Sequence, residues 1–194
     1  MVPVTNDGNY LAICKYGHKF FYTHQVLKFE ILFEIATHAM IDGYYREAVA
    51  SYASSLERFF ELYTKAVCYR HEVKAEQFEN SWSLVRRMSE RRYGAFVFAH
   101  LLHTQEAPPD INKTKLYPQN KFFTQFRNDV IHNGYIPAEA EAVSFGQTVL
   151  DYMRPFGRKL ATDVQIRGNP DFAQLSLLDI MRIEGREAEE QAGR

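Results

Sequence analysis

The stretch "FRNDVIHNGYIP", residues 126–137, sets an arginine and a histidine five positions apart, with more polar residues between them and a turn directly after. Imidazole is the side chain best suited to giving or taking a proton near neutral pH. A guanidinium presents planar donors that match phosphate oxygens and stabilise added negative charge. No carboxylate cluster or cysteine set stands ready for a metal, and no cofactor motif is visible, so Arg127 and His132 suit metal-independent RNA cleavage. There the substrate's own 2′-hydroxyl is the nucleophile, and the protein supplies only acid–base groups and charge stabilisation. DNA lacks that hydroxyl and should be inert. The plainer alternative is a helix end whose Arg and His satisfy last-turn carbonyls.

Read as helix, the segment stacks Asn128 and His132 one turn apart on one face. Arg127 and His132 are rotated by about 140° along a rise of roughly 7.5 Å. One copy of such a helix cannot easily aim both at one small target. Two copies around a two-fold axis bring a second Arg and a second His into the same cleft, so the expected active object is a homodimer. A helix C-terminus favours the protonated form of His132, while nearby arginines oppose it; spacing leaves that contest open.

Composition narrows the classes. Hydrophobic content of 46% and aromatic content of 14% give ample material for a core. Formal net charge is −1, so the chain lacks the basic excess of a general nucleic-acid binder, and any RNA contact should be local. Two cysteines, Cys14 and Cys68, make no disulfide framework and fit a reducing cytoplasmic setting. No signal peptide is visible, and no apolar run is long enough to span a membrane.

The elements that must position Arg127 and His132 read as an all-α helical bundle behind a short β-like extension. Residues 9–25 mix β-formers around a "KYGH" turn and suggest a hairpin. Helical periodicity follows at Val26, Phe29, Leu32, Phe33 and Ala36, up to an Asp42-Gly43 stop. A longer helix over 44–72 carries Ala48, Tyr52, Leu56, Phe59, Phe60, Tyr63 and Val67 on one side. Residues 74–105 hold one or two helices, with a break expected near Gly94. A Pro- and Asn-rich loop precedes a helix from about Asn120 to His132, stopped by Asn133-Gly134. The next helix begins at Pro137 and reaches Phe156 or beyond. The resulting division is an extension over 1–27, a helical domain over 28–162, and a C-terminal helix with a polar tail over 163–194.

Other residues invite weaker readings. Arg86, Arg87, Arg91 and Arg92 supply positive charge, and with Arg87 and Arg91 on one helix face they could hold an RNA backbone; a solvated face beside Glu90 is the alternative. Cys14, His18 and His24 resemble half of a zinc site, but no second half is visible, and aromatic hairpin packing is preferred. Cys68 reads as a buried small hydrophobe, as Trp82 reads as core. His100 and His103 share a face without an acidic partner nearby in sequence, and they read as packing or surface residues, as do His38 and His71.

At "RNDVIH" the chain resembles the HEPN domain family, whose signature is an Arg, a polar residue and then a His after four to six intervening positions. The turn "NGYIP", the helix after it and the earlier "DGYYREAVASYASSLERFFEL" resemble the family's flanking segments, with Glu57 at the position of a recurrent Glu. The resemblance covers roughly residues 28 to 160. It implies an α-helical bundle acting as a dimeric metal-independent endoribonuclease, with His132 as acid–base residue, Arg127 on the scissile phosphate and Asn128 orienting. It further implies a place in stress response, toxin–antitoxin pairs or antiviral defence, with a protein or antitoxin partner. One departure stands out. Some members carry a Tyr two places after the His that a partner enzyme modifies; here that position is Gly134, and Tyr135 sits one further along. Other members are non-catalytic modules that bind a protein or RNA. Catalysis requires the two signature residues to converge on an open cationic cleft, whereas a module is free to bury or separate them.

Overall fold

The structure, a computed structural model, describes residues 9–23 and 27–163. Strands β1 (Asn9–Ile13) and β2 (Lys19–Thr23) pair antiparallel from Asn9 opposite Thr23 to Ile13 opposite Lys19. Their turn closes with Cys14 N–H donating to His18 O at 3.0 Å, and Gly17 supplies the positive φ of 83°. The Tyr16 and His18 rings lie 6.5 Å apart at the turn, while Phe20 and Phe21 stand exposed, since no second layer among the described residues covers this two-stranded ribbon. His24 lies outside the described residues.

The body consists of α1 (Lys28–Ile41), α2 (Tyr45–Arg70), α3 (Ala75–Val85), α4 (Ser89–Thr104), α5 (Phe123–Ile131) and α6 (Glu139–Thr162). Helix α2 is the hub, packing against α1, α4, α5 and α6. All seven apolar residues of its expected stripe are buried, and Val49, Ala53, Ser55, Thr64 and Ala66 join them. The stripe is wider than periodicity implies because the helix is touched on several sides. Ser55 Oγ donates to Phe29 O at 2.6 Å, tying α2 to α1. Phe60, Tyr63, Phe96 and Phe156 form an aromatic cluster whose neighbouring rings have centroids 4.6–6.0 Å apart. Gly146 of α6 lets that helix approach α2 closely: a methyl there would stand 2.6 Å from Tyr52 Cε2.

Three boundaries differ from the periodicity. The break falls at 86–88, where Met88 is extended, and Gly94 lies inside α4. The roughly 1 kcal/mol handicap of a helical glycine is outweighed by burial of Phe96 and Ala99 just beyond it. Helix α5 starts at Phe123, since Lys121–Phe122 (β4) first pair with Lys115–Leu116 (β3), and Asn120 takes a positive φ of 50° in their turn. A 3-10 turn, Ile111–Lys113, precedes β3. Helix α6 starts two residues after Pro137, with Glu141 accepting from Ala138 N–H at 2.8 Å, and runs on through Pro155 to Thr162. The helix expected over 171–183 lies outside the described residues. Among the described residues no helix is long and apolar enough to cross a membrane.

Candidate functional site

Helix α5 buries Phe123, Phe126 and Val130, a three- and four-residue repeat that sets Arg127 beside the buried face. From there its guanidinium reaches α2 and the start of α4. Nη2 donates to Glu57 Oε1 at 3.0 Å and to Ser89 Oγ at 2.5 Å, while Nη1 donates to Asn128 Oδ1 at 3.4 Å. Ser89 Oγ donates in turn to Glu57 Oε1 at 2.5 Å. Arg92 Nη1 takes the other carboxylate oxygen, and its Nη2 donates to Arg86 O. Burial lowers the pKa of Arg92 more than Glu57 raises it. One carboxylate thus serves two guanidiniums, an excess of one positive charge over these three groups, with Glu90 on the cavity lining nearby. Arg127 also keeps two of its five N–H donors, since the three bonds named use the others.

His132 caps α5. Its backbone N–H donates to Asn128 O at 2.9 Å, and its side chain is exposed, with no hydrogen-bond partner among the described residues. Arg127 is turned inward and His132 outward, and no hydrogen bond joins them within one chain. Lys121, Asp129 and Asn133, which the motif alone does not single out, secure the turn after His132. Asp129 pairs with Lys121 Nζ at 2.6 Å and accepts from Asn133 Nδ2 at 3.1 Å; its backbone oxygen accepts from Tyr135 N at 3.0 Å. The Lys121 bond, then that from Asn133, lowers the Asp129 pKa. Gly134 ends the turn at φ 70°. The Tyr135 hydroxyl donates to Glu141, at 2.9 Å to Oε2.

The arginine-rich stretch divides. Arg92 belongs to the Glu57 cluster. Arg86 and Arg87 lie in the α3–α4 connection and Arg91 in the first turn of α4, so Arg87 and Arg91 do not share a helix face. All three are exposed, and Arg91 Nη1 donates to Leu84 O at 3.2 Å. Beside Arg127 a cavity of about 170 Å³ opens between α2, α4, the 3-10 turn and α5. Leu56, Phe60, Tyr93 and Phe123 form its apolar wall, and Glu57, Ser89, Glu90, Asn112 and Thr124 its polar one.

A second polar cluster lies further along α2. Tyr63 Oη sits 2.9 Å from Nδ1 of both His100 and His103. His103 Nε2 lies 3.0 Å from Asp163 Oδ2, which also accepts from Arg70 Nε at 2.8 Å. The acidic partner missing from local sequence is therefore 60 residues away. His100 and His103 do pack inside, and burial, then Lys159 and His103, lowers the pKa of His100. Burial, with the charge of Asp163, pushes the Tyr63 phenol up, so it remains a donor. Cys68 is half-buried, and burial raises its thiol pKa. Cys14 Sγ lies 3.5 Å from His18 Nδ1, and the described residues hold no group of three metal-ligand side chains.

The chain matches no protein-family model, no curated protein and no solved structure. The functional reading therefore rests on the site itself.

Proposed function

We propose that this protein is a metal-independent endoribonuclease of HEPN type, acting as a homodimer in which two copies of Arg127 and His132 line one cleft. The observation that carries the reading is the pairing on one short helix of a fixed, incompletely neutralised Arg127 with an exposed, unpartnered His132. One His132 takes the proton of a ribose 2′-hydroxyl as its oxygen bonds to phosphorus. The phosphorus–O5′ bond breaks, and the second His132 gives that oxygen a proton. Arg127 stabilises the charge gathering on the phosphoryl oxygens, held in position by Glu57, Ser89 and Asn128. The products are a 2′,3′-cyclic phosphate and a 5′-hydroxyl. Exposed Arg86, Arg87 and Arg91 supply local attraction for the RNA backbone in a chain with little net charge. The resemblance links such an activity to stress response, toxin–antitoxin pairs or antiviral defence.

A second reading is a non-catalytic interaction module. It is favoured by the Arg127 side chain being only 14% exposed and committing three donors to its own chain. Incubation of total RNA in EDTA with wild type, Arg127→Ala and His132→Ala separates the two. Cleavage that survives EDTA, spares DNA and vanishes in both variants supports the nuclease. Intact RNA with all three proteins, each folded and dimeric, supports the module.

A further inference from the structure

The proposed chemistry needs only a phosphate and a 2′-hydroxyl, so it leaves the cavity beside Arg127 unused. Its volume, about 170 Å³, is close to the roughly 150 Å³ of an apolar cavity known to enclose benzene. One six-membered ring fills that volume, and the second ring of a fused bicycle would stand in the open mouth. Phe60, Tyr93 and Phe123 offer the aromatic surface that a flat base seeks on leaving water. The polar wall is also set for a base edge. Thr124 Oγ donates to Asn112 Oδ1, which fixes the amide and leaves both Nδ2 protons unspent. Such a donor matches the O2 carbonyl that cytosine and uracil share. The wall ends at Arg127, whose two unspent donors suit the phosphate of the same nucleotide.

We infer that the cavity between α2, α4 and α5 binds a pyrimidine nucleotide, its ring inside and its phosphate on Arg127. This rests on the nuclease reading for the RNA source of that nucleotide, but not for binding itself. The site then gives the enzyme a base preference that the signature residues cannot provide, with cleavage beside cytidine or uridine.

The test titrates the full chain with UMP, CMP, AMP, GMP and inorganic phosphate, following binding by calorimetry and by NMR shifts of the aromatic protons. UMP and CMP should bind at least tenfold more tightly than AMP and GMP, shifting Tyr93 and Phe123, with inorganic phosphate weaker still. Asn112→Ala and Thr124→Val should each lose that preference while remaining folded. A parallel assay cuts oligonucleotides with a single pyrimidine or purine at the scissile step. Equal binding of purines, equal binding of phosphate alone, or binding of benzoate as tight as UMP would each overturn the inference. Pyrimidine binding without cleavage leaves it standing and removes the nuclease. Cleavage indifferent to base, without nucleotide binding, does the reverse.

Discussion

Two polar clusters hang from the same helix, about 9 Å apart along α2, and they differ in how their charges balance. At Tyr63 one acid, Asp163, meets one guanidinium, Arg70, so their charges balance. Arg70 Nε donates to Asp163 Oδ2, His103 Nε2 stands 3.0 Å from the same oxygen, and Tyr63 Oη stands 2.9 Å from Nδ1 of both His103 and His100. At Glu57, by contrast, two guanidiniums share one carboxylate beside an open cavity. A charge-balanced network contributes order and stability, while a second guanidinium on one acid is equipped to hold an anion.

The comparison can be broken at its ends. The largest expected effect is on activity: His132→Ala should lower RNA cleavage by about 10²–10⁴-fold, the usual worth of a positioned acid–base group. Its thermal midpoint should stay within a degree or two of wild type, because the side chain is exposed and unpaired. An equal cleavage rate would remove His132 from the chemistry. Glu57→Gln should destabilise by about 3 kcal/mol in urea denaturation, since it strands two partly buried guanidiniums; their side chains are 14% and 17% exposed. A change under about 0.5 kcal/mol would show that the arginines find water instead.

Tyr63→Phe should come next, at about 2 kcal/mol, because two buried imidazole nitrogens lose one oxygen while shape is kept. Cleavage should be unchanged; a parallel loss of activity would join the two clusters and defeat the distinction. The smallest effect concerns pH. With its folded pKa below the ordinary 6.5, His100 is neutral in the fold, so the unfolded chain binds the proton first. Stability should be full above pH 6.5 and fall as pH drops from there towards the folded value. The charged or titratable groups around it, Lys159, His103 and Glu106, are retained in His100→Asn, which should flatten that slope. A slope that survives the substitution would assign it elsewhere.

Local pattern was a good guide wherever neighbours in sequence decide. Gly43 and Gly134 end their helices at positive φ where the stops were read, and the α2 stripe is buried as its spacing requires. Pattern failed at Gly94 and Asn120. A glycine reads as a break until Phe96 is buried beyond it, and Asn120 reads as helix until β3 and β4 pair around it. The arginine run was misread for the same reason, since a break at 86–88 separates Arg87 from Arg91.

The site shows the same division. The spacing of Arg127, Asn128 and His132 is a property of one helical segment, so the sequence alone determined that Arg and His point in different directions. It also held the Asp129–Asn133 pair, four residues apart. Which way each group faces was decided by tertiary structure. Glu57 lies 70 residues from Arg127, Ser89 lies 38 away, and Asp163 lies 60 from His103. A 3.6-residue repeat correlates neighbours within a few turns and no further. Only the packing of α4 and α5 against α2 brings those charges together and opens a cavity beside one cluster.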